Sequence, residues 1–167
     1  MLIGIDPGIR GAIAFLYDND RKAVLDMPVR EKRNGGATKN EVDPVRLQQM
    51  LRNYVPADEK GLVVMESAHA FMGSKQRVGS VASQASLAAT KAVVAAICEL
   101  NGMDIAYVTP QAWHAFFGIR KTEAEDTKVQ SLRIARGLFG KEFCPLQKHD
   151  GRADALLIAR YGQRTLT

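Results

Sequence analysis

Apolar residues fall in short runs at the start of the chain and in helical stripes towards its end. Residues 2–6 read as a buried strand followed by the turn Pro7-Gly8, and residues 11–17 as a second strand. Asp18-Asn19-Asp20 is a hairpin turn signal, after which residues 22–27 complete a three-stranded meander. Residues 28–41 are polar and basic around Gly35-Gly36 and read as a mobile loop. Asp43-Pro44 opens a helix with Leu47, Met50 and Leu51 on one face, proline being well placed in a first turn. Residues 61–66 form a fourth strand, 67–79 a second loop, and 80–101 a long Ala-rich helix stopped by Gly102. That helix carries Gln84, Lys91 and Glu99, so it reads as a buried helix and not a membrane span. Residues 103–108 form a fifth strand, and Thr109-Pro110 starts a short helix through Trp113 and Phe117. Residues 123–139 form another helix with acid in its first turn, as the helix dipole prefers, and the last begins near His149.

This order predicts an α/β fold built on a mixed five-stranded sheet with helices on both faces. The opening meander is antiparallel, and helical crossovers make the later strands parallel. A chain of 167 residues is expected to form one domain over residues 1–167. With 46% hydrophobic and 25% charged residues it has the composition of a folded soluble protein. The net charge of +5 favours a polyanion such as nucleic acid, although charge alone leaves open a protein with no such partner. Cys98 and Cys144 make neither a metal spacing nor a disulfide framework, which fits a reducing cytoplasm. No basic stretch precedes the first apolar run, so no signal peptide is expected.

Against this basic background, four acidic residues stand at the ends of apolar segments. Asp6 closes the first strand and Glu66 the fourth, while Asp150 and Asp154 lie four apart where the last helix starts. A sheet delivers its strand ends to one rim, and carboxylates gathered there repel unless a cation or a proton intervenes. In a basic protein, that points to metal-assisted cutting of a phosphodiester. Each acid also has a plainer reading. Asp6-Pro7-Gly8 is a good turn by itself, Asp150 suits a helix N-cap, and Asp154 could pair with a nearby arginine. Asp154 nevertheless shares a helix face with Leu157, Ile158 and Tyr161, where an unpaired carboxylate is costly. Lys128 and His149 are further candidates for phosphate or transition-state contact, against a solvated lysine and an exposed histidine at a helix start. Arg30, Lys32, Arg33 and Lys39 in the first loop, and Lys75 and Arg77 in the second, are candidate DNA contacts. Phe71 is either a core plug or a platform for an unpaired base.

Ile3-Gly4-Ile5-Asp6-Pro7-Gly8 with Gly11-Ala12, then Met65-Glu66, then Asp150-Gly151-Arg152-Ala153-Asp154-Ala155-Leu156-Leu157 resemble the RuvC-like Holliday junction resolvases. The likeness is greatest to the branch of bacteriophages and plastids. The resemblance implies a ribonuclease H-like fold, a homodimer, and cutting of four-way DNA junctions by two symmetric nicks with Mg or Mn. It implies Asp6, Glu66, Asp150 and Asp154 as ligands of two metal ions, with no nucleotide cofactor and no membrane. It places the protein in the cytoplasm of a bacterial or phage-infected cell, or in an organelle. Bacterial cellular members space the last two ligands three apart, and here Gly151 occupies the earlier of those positions. The lysine near Lys128 and the aromatic near Phe71 match only weakly. Three rival readings stay open: another ribonuclease H-like nuclease acting on other branched DNA or RNA–DNA hybrids, an ATP-binding protein of the actin type, and a non-catalytic junction binder.

Overall fold

Alternation along the first strand sets the architecture. In β1 (Leu2–Asp6), Leu2 faces one side of the sheet and Ile3 and Ile5 the other, and all three are buried. β2 (Ala12–Leu16) runs antiparallel to it with Ile3 opposite Phe15 and Ile5 opposite Ile13. β3 (Lys22–Asp26) completes the meander. The intervening turn holds Asp20 at φ 62°, a conformation Asp tolerates better than most residues. The computed structural model describes residues 1–34, 37–67 and 81–166.

The basic stretch expected to be a loop is a two-stranded hairpin, β4 (Val29–Asn34) and β5 (Ala37–Val42). Charge pairing rather than apolar alternation stabilises it. Arg30 lies directly opposite Glu41, and Glu41 accepts from both Arg30 at 2.8 Å and Lys32 at 3.1 Å. Its base is anchored by buried Val42 and by the Asp43 N–H, which donates to the Pro28 carbonyl. Asp43 then caps α1 (Pro44–Tyr54), accepting from the N–H groups of Val45 and Arg46.

β6 (Leu62–Glu66) lies parallel to β1, with Ile5 level with Met65. α2 (Val81–Leu100) and β7 (Asp104–Val108) follow, and the sheet is the mixed five-stranded one expected, with strand order β3-β2-β1-β6-β7. The remaining elements are α3 (Pro110–Phe117), α4 (Thr127–Phe139), a single 3-10 turn at Lys141–Phe143, and α5 (Asp150–Thr165). α4 starts later than expected, and its first turn contains no acid. Glu123 and Glu125 precede it, and Glu125 pairs with Arg133 at 3.1 Å.

Two cores result, one on each face of the sheet. Ile3, Ile5, Ile13, Phe15, Val63 and Met65 pack with Leu47 and Leu51 of α1 and with Val94, Ile97 and Cys98 of α2. On the other face, Leu156, Leu157 and Ile158 of α5 join Leu132 and Phe139 of α4 and Trp113 of α3. Burying such aliphatic side chains contributes about 1.5–3 kcal/mol each. α2 is not the buried helix its composition implied. Thr90, Val94, Ile97 and Cys98 turn inward, whereas Leu87, Ala88, Ala92, Val93 and Ala96 are exposed along one side. Apolar content misled here because alanine is cheap to expose. Among the described residues, no helix is long and apolar enough to cross a membrane.

Candidate active site

Parallel pairing of β1 with β6 carries Asp6 and Glu66 to the same rim of the sheet. Glycines then allow α5 to reach that rim. A Cβ on Gly4 would overlap the Ala155 carbonyl, so α5 lies directly on β1. A Cβ on Gly151 would overlap the Arg10 carbonyl and come within 2.9 Å of the Gly11 Cα, so the head of α5 abuts the β1–β2 turn. This explains why no ligand stands at the position Gly151 occupies: the space belongs to backbone. Asp150 is the first residue of α5 rather than its cap, which falls at His149 without a side-chain capping bond.

The acids respond to one another. Asp6 accepts from the Gly8 N–H at 3.3 Å through Oδ1, forming the expected turn. Burial raises its pKa, the Gly8 bond opposes this, and the Asp150 charge adds to it. Burial likewise raises Glu66, against a hydrogen bond from Trp113 and with the Asp6 charge adding. Asp154 is pushed up to about 7, chiefly by burial; a Ser131 hydrogen bond opposes, and the charges of Asp6, Glu66 and Asp150 add. Its Oδ1 is buried with no hydrogen-bond partner. Arg152, two residues before it, is bonded to Asp26 at 2.6 and 2.7 Å. Three coupled, desolvated carboxyls of this kind hold either shared protons or a cation.

Asp150 differs. Its Oδ2 lies 2.6 Å from the Lys128 Nζ, an ion pair joining two residues singled out from sequence. Asp6, Asp150, Asp154, Lys128 and His149 line one open cleft of about 870 Å³. His149 accepts from the Leu146 N–H through Nδ1 at 3.3 Å, leaving Nε2 as the nitrogen available to a ligand. Burial and the Arg152 charge lower its pKa and favour the neutral ring. Glu66 is half-buried, with Trp113 Nε1 donating to its Oε2 at 3.0 Å and Lys91 Nζ to its backbone carbonyl at 2.6 Å.

Among the described residues, no group of three or more His, Cys, Asp or Glu side chains is assembled to hold a metal ion as it stands. The donor set still suits one. Asp6, Glu66 and Asp154 offer oxygen to a hard cation, and the orphaned Asp154 Oδ1 is the buried acceptor such an ion would satisfy. Trp113, Lys91, Ser131 and the Asp26–Arg152 pair were not visible from sequence. Each acts through a contact between distant segments that leaves no local signal.

The other candidates lie apart from the carboxyls. Arg30, Lys32, Arg33 and Lys39 are exposed on the β4–β5 hairpin, with Arg30 and Lys32 engaged by Glu41. Lys39 also lines a groove of about 520 Å³ with Asn40, Ser86 and Thr90, and Gly8, Ile9 and Arg10 connect that groove to the cleft. Phe71, Lys75 and Arg77 lie outside the described residues.

No family model matches the sequence, and no curated protein matches it. Solved structures do. Thermus thermophilus RuvC in complex with Holliday junction substrate superposes with a TM-score of 0.59 at 15% identity, covering 98% of this chain and 94% of that one. A second Thermus thermophilus RuvC structure gives a TM-score of 0.54 at 17% identity, covering 99% and 96%. Over nearly its whole length, the chain has the ribonuclease H-like fold of RuvC.

Proposed function

We propose that this protein is a divalent-metal-dependent DNA endonuclease that resolves four-way junctions by paired symmetric nicks. The observation that carries the reading is Asp154, whose Oδ1 is buried and unpartnered and whose carboxyl is raised further by the charges of Asp6 and Glu66. A basic chain on a RuvC-like fold supports a DNA substrate, because one of the similar structures is a complex with a Holliday junction. Motif likeness supports assigning it to the phage and plastid branch.

Asp6, Glu66 and Asp154 would hold Mg or Mn, two ions per site, with Asp150 joining when Lys128 turns to a phosphate. Bound there, the ions supply activation of a water and stabilisation of charge on the departing oxygen. Lys128 reaches the scissile phosphate from the cleft rim and offsets charge that builds on it. His149 offers its Nε2 to the same phosphate or to the attacking water. Lys39 in the connected groove and Arg33 on the hairpin beside it grip backbone phosphates, giving affinity that falls as salt rises.

A two-fold dimer would present two such sites to two like strands. The exposed stripe of Leu87, Ala88, Ala92, Val93 and Ala96 on α2 supports self-association through that helix. Free, buried Cys98 and Cys144 suit a reducing cytoplasm.

The test is incubation with labelled four-way, flap, duplex and RNA–DNA hybrid substrates, with and without Mg. Paired nicks at symmetric junction positions are expected only with Mg. Preferential cutting of hybrid or flap would instead make this a ribonuclease H-like nuclease of another specificity.

A further inference from the structure

Glu66 is held from two sides by residues that the proposed chemistry has not yet used. Trp113 is 1% exposed, and its indole N–H donates to Glu66 Oε2 at 3.0 Å. An indole has one donor and no acceptor, so a Trp this deeply buried must keep that bond or leave the N–H unpaired in the core. From the α2 side, Lys91 donates to the Glu66 backbone carbonyl at 2.6 Å, fixing the last peptide of β6. The carboxylate therefore has little freedom about its side-chain torsions. Its Oε1 takes no hydrogen bond among the described residues.

We infer that Trp113 is a positioning residue for the metal centre, orienting the Glu66 carboxylate towards the divalent cation it would hold. The inference rests on the reading of Glu66 as a metal ligand and adds to it what orients that ligand. The indole bond to Oε2 sets where the carboxylate points and leaves Oε1 free of it. A charge-assisted N–H···O bond to a ligating carboxylate both aims it and limits its rotation. Lys91 supplies the backbone half of the same clamp.

Trp113 is the single tryptophan in the chain, so its emission reports on this bond without labelling. The experiment titrates Mn into metal-free protein in the absence of DNA, following Trp emission and, by calorimetry, affinity. The expected result is a saturable change in wild-type emission that is absent in Glu66→Ala. Trp113→Phe is expected to lose roughly tenfold or more in Mn affinity while its circular dichroism stays native, the usual scale for removing a residue that orients a ligand. Lys91→Met is expected to weaken binding in the same direction, with partial rescue in Lys91→Arg.

Emission that does not respond to Mn, together with unchanged affinity in Trp113→Phe, would overturn the inference while Glu66→Ala and Asp154→Asn still lose binding. If Glu66→Ala and Asp154→Asn bind Mn like the wild type, the metal-site reading itself fails. Should Trp113→Phe not fold, the Lys91 variants decide: Mn affinity unchanged in Lys91→Met would overturn the clamp, and a loss partly rescued in Lys91→Arg would support it.

Discussion

The Lys128 Nζ sits 2.6 Å from the Asp150 Oδ2, so the carboxylate at the head of α5 has a cation of its own while Asp154, one turn along, has none on its Oδ1. The two aspartates of the final helix are thus unequal. Asp154 belongs to the buried, mutually repelling set, and Asp150 holds a lysine over the cleft.

That inequality predicts the behaviour of Lys128. Lys128→Met should lower junction nicking about a hundredfold, the scale seen when one donor to a developing charge is removed. Junction affinity measured without cleavage should change only a few-fold, since one phosphate contact among many is lost. An unchanged nicking rate would reduce Lys128 to a solvated surface lysine.

A second prediction concerns pH and stability without divalent ions. The Asp154 pKa of about 7 lies above its ordinary 3.8, so the folded chain holds this proton more tightly than the unfolded chain. The neutral carboxyl is therefore favourable at low pH, and stability is lost as pH rises from about 4 towards 7. Asp154→Asn should remove that loss. In chelator, urea unfolding should show the variant gaining on the wild type between pH 5 and pH 8, by on the order of a few kcal/mol. A constant difference across that range would mean that Asp154 ionises freely in the fold.

Gly151 gives a third prediction. Gly151→Asp would restore an acid three residues before Asp154, yet its Cβ would meet the Arg10 carbonyl and the Gly11 backbone. The variant should lose about 1–3 kcal/mol of stability and should cleave no better than the wild type. A more active, equally stable Gly151→Asp would show that the β1–β2 turn yields easily.

Exposed cations of the hairpin supply a fourth. Lys39→Ala and Arg33→Ala should each reduce the slope of log affinity against log salt by about one, with little effect on cleavage of bound junction. Arg30→Ala should do less to the slope, because Glu41 already holds Arg30. Equal slopes in all three variants and the wild type would remove the hairpin from the DNA path.

How much of this was legible beforehand depended on whether the signal was local. The strands ending at Asp6 and Glu66 announce themselves because each is an apolar run broken by an acid, and the Asp43-Pro44 helix start carries its own cap. The β4–β5 hairpin was hidden because opposite charges stabilise it across the strands, and its composition reads as a loop. α2 was misjudged because alanine fits an exposed stripe and a buried one equally well. Trp113 on Glu66, Ser131 on Asp154 and Arg152 on Asp26 join segments far apart in sequence, and only the assembled sheet brings them together.

The most direct measurement compares nicking and binding of a labelled four-way junction by the wild type, Asp6→Asn and Asp154→Asn in Mg. The account predicts paired symmetric nicks by the wild type, none by either amide variant, and junction affinities within a few-fold of one another. Continued nicking by Asp154→Asn at the wild-type rate would contradict it.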